Sequence, residues 1–331
     1  MSKILLTGAN GFLGTNVLNE LLSRGYLVRG FILPGTNKNF IQKPGVEIFE
    51  GNLLNQDDVN KAVLGCDAVI HTAACTDVIP DRAKYIWDIN LKPTQFLAEA
   101  VEKNGLKRMV HVGTANTFGY GSIKQPGNEK SKSNCHMYGL DYMDSKVAAQ
   151  EYLLKSVSEK KLDAVIVNPT YMIGPFDSKP SSGQMLIALY KNQIPGYSTG
   201  GKNFVYVKDA AVGVVNALEK GKAGQCYILG HQNLSDKQFF DKAAKVMEVK
   251  SPSIGMPSFI TLAFGKLNDI YARISGKRPL VTFKMARVAC HGHYFDNSKA
   301  VAEIDLPQTP IETAVESAFN WFIENGYLEK K

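Results

Sequence analysis

The sequence predicts a doubly wound α/β fold, in which helices cover both faces of a parallel sheet. Short apolar strands alternate with helical patterns along the N-terminal half of the 331-residue chain. Each predicted strand is almost continuously apolar, which is typical of a strand that is buried on both faces. A glycine-rich turn joins the first strand to the first helix. Ligands of such sheets bind at the carboxyl ends of the strands.

The predicted elements change in character at Pro169. Strands are expected at residues 3–7, 26–33, 46–50, 67–72, 107–112, 164–167, 204–207 and 226–229. Helices are expected from the glycine-rich turn to Arg24 and at residues 56–64, 82–103, 137–160, 184–192, 209–220, 235–247, 258–275 and 311–325. Because loop signals become frequent after Pro169, we expect an N-terminal domain at 1–168 and a smaller, mostly helical part at 169–331. Within the second part, 204–230 is expected to return to the main sheet.

The glycine-rich turn, from Thr7 to Gly14, predicts that the N-terminal domain is a Rossmann dinucleotide-binding domain. Gly8 permits a tight turn, Gly11 lets the backbone approach a pyrophosphate, and Gly14 lets the helix pack close to the sheet. The helix N-terminus then offers N–H groups and a positive dipole end to the phosphates. The residues of the turn expected to contact the cofactor are Gly8, Asn10, Gly11, Phe12, Leu13 and Gly14.

The end of the second predicted strand bears on the choice between NAD and NADP. An acid there would hold the adenosine ribose hydroxyls, whereas an arginine would hold a 2′-phosphate. Here the strand ends at Leu33 with neither residue, and Arg29 lies inside the strand, where it faces a sheet surface. Lys38 and Thr36 are placed to hold a phosphate, so the sequence favours NADP and leaves NAD open.

The nicotinamide side is expected where later strands end. Thr114 follows the fifth predicted strand, where its hydroxyl would donate to a developing oxyanion. Tyr142 and Lys146 are four residues apart, so a helix presents them on one face. The lysine charge favours the ionised phenol, which lets the tyrosine exchange a proton near neutral pH. The other residues expected along the cofactor are Lys38, Asn52, Leu53, Thr72, Ala73 and Ala74.

Composition limits the classes of function. The net charge is +7, with no block of lysine and arginine, so the sequence favours a slightly basic soluble enzyme with a small-molecule substrate over a nucleic-acid-binding protein. Five scattered cysteines and the absence of a secretion leader predict a reduced, cytoplasmic protein. No metal site is predicted, and no apolar run is long enough for a membrane span. The segment 259–264 predicts an amphipathic helix against a core or substrate cleft, with membrane contact as the alternative.

The chain has the glycine-rich turn at 7–14, then Thr114, then Tyr142 and Lys146 four residues apart. With these motifs in this order, it resembles the extended short-chain dehydrogenase/reductase family, of the NAD-dependent epimerase/dehydratase type. Further matches are Asn90, Asn168-Pro169-Thr170 and Val207-Lys208-Asp209. Segments 227–230, 294–299 and 321–327 are similar to the dihydroflavonol-4-reductase-like and hopanoid-associated sugar epimerase-like branch. The resemblance implies that Tyr142 is the general acid or base, that Lys146 lowers its pKa and binds the nicotinamide ribose, and that Thr114 orients the reacting oxygen. It also implies that Asn90, Pro169 and Thr170 contact the cofactor, together with Tyr142 and Lys146.

Departures from the family pattern leave the reaction open. Ala115-Asn116 follow Thr114 where dehydratases have an Asp-Glu pair, and Lys202-Asn203 stand where many sugar-nucleotide epimerases have Arg-Asp. The first hypothesis is therefore hydride transfer between a nicotinamide and a ketone, an aldehyde or a secondary alcohol. The alternatives are a nucleotide-sugar or sugar epimerase with tightly bound NAD, and a cofactor-sensing protein without turnover. The protein is expected to be a monomer, or a homodimer formed through helices 84–103 and 137–160.

Overall fold

The structure, a computed structural model, describes residues 2–160, 162–279 and 281–330. Its strands are β1 Lys3–Thr7, β2 Leu27–Ile32, β3 Val46–Glu50, β4 Ala68–His71, β5 Arg108–Val112, β6 Ala164–Pro169, β7 Tyr171–Ile173, β8 Gly201–Tyr206, β9 Cys226–Leu229, β10 Gln232–Ser235 and β11 Gly292–His293. Its α-helices are α1 Phe12–Ser23, α2 Gln56–Val63, α3 Lys84–Lys103, α4 Asp141–Lys160, α5 Gln184–Tyr190, α6 Val207–Lys220, α7 Asp236–Val246, α8 Ser258–Ser275, α9 Phe283–Ala289, α10 Ser298–Ile304 and α11 Ile311–Glu324.

In the described part of the chain, seven strands form a parallel sheet in the order β3-β2-β1-β4-β5-β6-β9. The order reverses between β1 and β4, so this is where the carboxyl ends of the strands open a crevice. Thr7 pairs with His71, and His71 pairs in turn with His111. The predicted doubly wound Rossmann fold is confirmed.

Helices cover the sheet on both faces because successive strand residues point to opposite sides. Leu6 of β1 belongs to a core on the face of α1 and α6, whereas its neighbour Leu5 belongs to a core on the face of α2, α3 and α4. Both leucines are fully buried. Burying a leucine contributes about 1.5–3 kcal/mol, so each face stabilises the sheet and holds its carboxyl edge rigid.

The C-terminal part contains a second, smaller sheet. Strand β8 pairs with β10 in the antiparallel direction and with β7 and β11 in the parallel direction. Within the segment 204–230, β9 pairs with β6 at the edge of the main sheet, whereas β8 stays in the second sheet. The division into a cofactor domain and a substrate part at residue 168 stays a prediction.

Three local features differ from the sequence-based expectation. Helix α4 begins at Asp141 rather than near Met137, because Gly139 adopts a left-handed φ of 63° that ends the preceding 3₁₀ helix, Cys135–Tyr138. The short elements β7, β10, β11, α9 and α10 were not predicted, since each is too short to show a periodic pattern. Helix α8 presents most of its apolar side chains to solvent instead of to a core. Among the described residues, none of the helices has the length and apolar character needed to cross a membrane.

Candidate functional site

The glycine-rich turn between β1 and α1 is packed so closely that side chains would not fit. Gly8 has a φ of +66°, and a Cβ added to it would lie 2.8 Å from the Cα of Ala73. A Cβ on Gly14 would lie 2.0 Å from the carbonyl oxygen of Gly8. Gly11 is less confined, since its added Cβ would lie 3.2 Å from the same oxygen. The turn therefore brings bare backbone to the end of β4, as a site for a pyrophosphate requires.

The N-terminus of α1 carries no side-chain cap. Gly11 is the N-cap residue and offers no side-chain oxygen to the first N–H groups of the helix. Those N–H groups have no intrahelical partner, and the helix dipole adds positive potential at the same point. Asn10 instead donates to the Thr36 hydroxyl at 2.9 Å and to the Asn37 carbonyl at 3.1 Å, which ties the turn to the loop after β2. The residues of the turn thus fit the phosphates of a dinucleotide cofactor.

The loops beyond β2 and β3 hold the residues expected near the adenosine. Lys38 forms an ion pair with Glu50, so binding a 2′-phosphate would compete with that carboxylate. Asn52 accepts from the N–H of Leu54 at 2.9 Å and caps its own turn. Arg29 pairs with Glu47 at 2.9 Å and donates to the carbonyls of Ala62 and Leu64, so it lies on the face of the sheet that α2 covers. Leu53 packs against the core on the α2 side.

The end of β4 is fixed to the glycine-rich turn by hydroxyl groups. The Thr72 hydroxyl donates to the carbonyl of Thr7 at 2.7 Å. The Thr7 hydroxyl in turn shares a 2.7 Å hydrogen bond with Nδ1 of His71. His71 is 1% exposed, and burial lowers its pKa to about 3, so it is a neutral core residue. Ala73 and Ala74, which follow, leave room at this strand end because their side chains are small.

Thr114, Tyr142 and Lys146 come together at the carboxyl end of β5. The Thr114 hydroxyl is within hydrogen-bonding reach of the Tyr142 phenol. Tyr142 is in the first turn of α4, and Lys146 follows one turn later. The Lys146 amine donates to the carbonyl of Val112, the last residue of β5, at 2.9 Å. The two residues that the sequence predicts as partners of Tyr142 therefore lie close to it. Thr114 is beside the phenol, and Lys146 is one helical turn away.

Burial dominates the ionisation of this group of residues. It raises the pKa of the Tyr142 phenol, and the hydrogen bond from Thr114 opposes that rise. Burial also lowers the pKa of the Lys146 amine from 10.5 to about 8. The Lys146 amine is directed to the carbonyl of Val112, and the expectation that Lys146 lowers the pKa of Tyr142 stays a prediction.

Two asparagines, Asn90 and Asn168, hold the candidate site in place through hydrogen bonds of their side-chain amides. Asn90 accepts from the N–H of Cys75 at 2.8 Å and donates to the Ser145 hydroxyl at 2.9 Å. It thereby fixes the loop after β4 against α4, and its predicted contact with the cofactor stays a prediction. Asn168, which is fully buried, donates to the carbonyl of Thr114 at 3.1 Å and to Gln150 at 2.8 Å.

The sequence placed Pro169 and Thr170 at the cofactor but missed the role of Asn168. Pro169 is the last residue of β6. The Thr170 hydroxyl donates to Asn203 at 2.9 Å, which joins the main sheet to the second sheet. The signal for Asn168 was present, since a buried amide at the end of an apolar strand needs polar partners close by.

A polar aromatic cluster lies next to the catalytic candidates. The Tyr138 hydroxyl is 2.8 Å from the Tyr120 hydroxyl and 2.9 Å from Nδ1 of His291. The ring of His293 is tilted by 36° against that of Tyr120, with centroids 4.3 Å apart, and its Nδ1 is 3.3 Å from Oδ1 of Asn116. Burial and the hydrogen bond to Tyr120 raise the pKa of Tyr138 far above its usual value. Tyr138 is therefore a neutral wall residue, and the two histidines are engaged with it.

One group of potential metal ligands occurs among the described residues, Cys135, His136 and Asp144. Both carboxylate oxygens of Asp144 are already engaged, one with His136 at 2.7 Å and the other with Arg82 at 3.0 Å. Burial raises the pKa of the Cys135 thiol, which opposes the thiolate that a metal requires. The cluster therefore serves to anchor the start of α4.

Comparison with known proteins agrees with this geometry. A family model described as the NAD dependent epimerase/dehydratase family matches residues 4–230. A Synechocystis sp. protein whose name contains the words dihydroflavonol 4-reductase is 29% identical over 329 residues, covering 98% of this chain and 95% of that protein. Sterol demethylase protein B of Methylococcus capsulatus is 27% identical over 330 residues, covering 98% and 99%. The crystal structure of gox2253 has a TM-score of 0.87 and 28% identity, covering 99% of this chain and all of that one.

Proposed function

The chain belongs to the NAD dependent epimerase/dehydratase family and is an NAD(P)-dependent enzyme of the extended short-chain dehydrogenase/reductase type, and we propose that it reduces a ketone or an aldehyde. The proposed substrate is small to medium in size and partly apolar. The observation that carries the proposal is the meeting of Thr114, Tyr142 and Lys146 at the end of β5. The resemblance of the chain to a relative named as a 4-reductase supports reduction as the net reaction.

Each of the three residues has a distinct part in this reaction. The nicotinamide cofactor supplies the hydride when it is bound. The Thr114 hydroxyl holds the substrate oxygen, and the Tyr142 phenol, kept protonated by its raised pKa, donates the proton to that oxygen. Lys146, with a pKa near 8, is able to bind ribose hydroxyls either as a cation or as a neutral amine. Asn168 is a positioning residue, because it holds the backbone of Thr114.

The second sheet argues against a nucleotide-sugar substrate. Asn203 is 1% exposed and donates to Asn233 at 2.9 Å and to the carbonyl of Phe295 at 3.1 Å. Lys202 pairs with Asp236 at 3.2 Å. These two residues stand where many sugar-nucleotide epimerases have Arg-Asp, and neither side chain is free to hold a diphosphate. We therefore rank epimerisation second, although the family description and relatives whose names contain the word epimerase support it.

Replacing Tyr142 by phenylalanine tests the proposal. Because the variant lacks the proton donor, we expect kcat to fall by about 10²–10⁴-fold, while the dissociation constant for the cofactor stays within about twofold of wild type. The measurement is nucleotide oxidation with a panel of apolar ketones and aldehydes. Tyr26→Phe is the control, since Tyr26 precedes β2 at the amino end of the sheet and its hydroxyl donates to Glu219 at 3.0 Å. Full activity of Tyr142→Phe would refute the assignment.

For the cofactor, we propose NADP, with NAD as the alternative. The absence of an acid at the tip of β2 and the nearby Lys38 support this choice. We expect the Kd for NADPH to be lower than that for NADH, and Lys38→Ala to remove most of the difference without changing NADH binding. Titration of protein fluorescence measures both constants, and Lys43→Ala, on the same loop, is the matched control. Tighter NADH binding by the wild type would overturn the proposal.

A further inference from the structure

Helix α8 leaves an apolar face in solvent. Within this helix only Thr261 and Gly265 are buried. Its exposed apolar side chains, between 44% and 83% exposed, include Phe259, Ile260, Phe264, Leu267, Tyr271 and Ile274. With Ile254 and Ile270 they make up eight of the 15 large apolar side chains exposed in the described part of the chain. Exposed apolar groups this concentrated mark an interaction surface.

The exposed side chains share one side of the helix. Ile260, Phe264, Leu267, Tyr271 and Ile274 follow a spacing of four and three residues, so they form a continuous stripe. Phe259 and Ile270 widen the stripe to an arc of about 140° at 100° per residue. The opposite side packs on α9, where a Cβ on Gly265 would lie 2.8 Å from the Cβ of Ala286. The apolar arc therefore faces away from the body of the protein.

The positive charge of the protein is concentrated around this helix. From Val249 to Phe295 the chain has seven lysine or arginine residues and one acid, Asp269, which gives a net +6 of the whole-chain +7. Asp269 accepts the N–H of Phe283. In the parts of the chain that the structure describes, the exposed residues Lys266, Arg273 and Lys277 form no ion pair. Lys284, by contrast, is paired with Asp81. The apolar arc is thus flanked by three basic side chains, Lys266, Arg273 and Lys277, whose charges are not neutralised internally.

We propose that α8 docks the protein on an anionic membrane surface, with the helix lying in the plane of the interface. An interfacial helix combines an apolar face with flanking lysine and arginine, and anionic headgroups attract those charges. A second copy of the chain is a poor occupant, because docking α8 on α8 would bring the unpaired charges of Lys266, Arg273 and Lys277 near the same charges of the other copy. A membrane would bury the apolar arc and would place anionic headgroups beside the basic side chains.

Docking in this way would orient the candidate site. Lys284 of α9 donates to the carbonyl of Gly139 at 2.9 Å, and the guanidinium of Arg287 lies 6.0 Å from the ring centroid of Tyr138. The hairpin of α8 and α9 is thus fastened directly to the loop that precedes α4. A membrane-docked α8 would hold the substrate side of the protein near the lipid, where an apolar substrate partitions. This consequence rests on the proposed function, whereas the docking does not.

Sedimentation with vesicles tests the docking on the full-length protein. One set of vesicles is phosphatidylcholine, and the other adds phosphatidylglycerol at about one part in four. We expect the protein to sediment with the second set only, and added salt to reduce the bound fraction. Failure to bind the anionic vesicles, or equal binding to both sets, would overturn the proposal, and neither result bears on reductase activity.

Variants of α8 assign the binding to this face. We expect Leu267→Gln and Ile274→Ser each to weaken the partition by about tenfold, and Arg273→Gln to weaken it by about fivefold. The controls are Leu64→Gln, 58% exposed elsewhere, and Lys155→Gln, whose side chain is 70% exposed on α4. Circular dichroism checks that each variant is folded.

A dimer formed through α8 is the competing occupant. If Leu267→Gln converted a dimer to a monomer by light scattering and left vesicle binding unchanged, the apolar face would belong to a second copy and the proposal would be wrong. Unchanged vesicle binding by all three α8 variants would also overturn it.

Discussion

At the scale of single residues, burial rather than charge sets the state of the candidate site. Tyr142 stays protonated because its surroundings raise its pKa, and Lys146 loses much of its basicity because it is 3% exposed. A protonated phenol is the form that donates a proton to a carbonyl oxygen, so the ground state of the protein matches reduction. Binding of a ligand beside Lys146 would change its solvation and hence its charge.

The depressed pKa of Lys146 has a consequence for stability. Between about pH 8 and its ordinary value of 10.5, the unfolded chain binds a proton at this lysine that the folded protein does not. The free energy of unfolding therefore rises with pH across this window, and the burial penalty is fully present below pH 8. The shift corresponds to about 3 kcal/mol.

Comparison with Lys146→Met isolates that effect, since methionine keeps the apolar stem. We expect the difference in unfolding free energy, wild type minus variant, to increase by about 2–3 kcal/mol from about pH 7 to about pH 10. Urea unfolding at several pH values measures it. A difference that stays constant with pH would show that Lys146 is not desolvated in the folded protein.

The sequence identified the residues of this site by type and spacing, but not their hydrogen bonds. Tyr142 and Lys146 were found from their four-residue separation, which a helix turns into a shared face. Two contacts depend on where strands and helices lie in three dimensions. Lys146 donates to the carbonyl of Val112, and the amide of Asn90 accepts from the N–H of Cys75. Spacing along one helix carries no information about either contact.

At the scale of elements, the glycine-rich turn is the part of the fold most tightly constrained by packing. A Cβ on Gly14 would overlap the carbonyl of Gly8, whereas Gly11 has a φ of −83° that any residue adopts. The two glycines therefore serve different ends. Gly14 allows α1 to approach β1, and Gly11 keeps the surface open for a ligand.

Alanine at each position separates these two roles. We expect Gly14→Ala to lower the free energy of unfolding by about 1–3 kcal/mol, because the added methyl group forces α1 away. We expect Gly11→Ala to stay within about 1 kcal/mol of wild type while weakening cofactor binding by about tenfold or more. Thermal unfolding and nucleotide titration of both variants provide the test. Equal loss of stability in the two variants would contradict the assignment.

Long elements were predictable and short ones were not. The strands of the main sheet and the long helices appeared as apolar runs or periodic patterns, and the structure has them within a few residues. Strand β11, Gly292–His293, and strand β7, Tyr171–Ile173, form only because β8 lies beside them. Their existence depends on tertiary pairing, which a local pattern cannot contain.

At the scale of the whole molecule, fold and charge distribution are organised separately. The parallel sheet has its switch point between β1 and β4, which is where we propose that the nicotinamide nucleotide binds. The basic, apolar region around α8 is outside that sheet, and the sequence showed its amphipathic pattern without showing which face was exposed. The composition shows only that the whole chain has a net charge of +7. The order of the residues shows that the segment from Val249 to Phe295 has a net charge of +6.

The central claim is that Tyr142 serves net hydride transfer to an external carbonyl. Its most direct test is to supply NADPH, and separately NADH, with both C4 hydrogens of the nicotinamide replaced by deuterium. Each is mixed with a panel of apolar ketones, and the mass of the products is measured. We predict one deuterium on the new carbinol carbon with wild-type protein, and at least about a hundredfold less of this product in the same time with Tyr142→Phe. The claim would be contradicted if no ketone gave a deuterated alcohol and the protein instead interconverted epimeric alcohols on a nucleotide that it retains through purification.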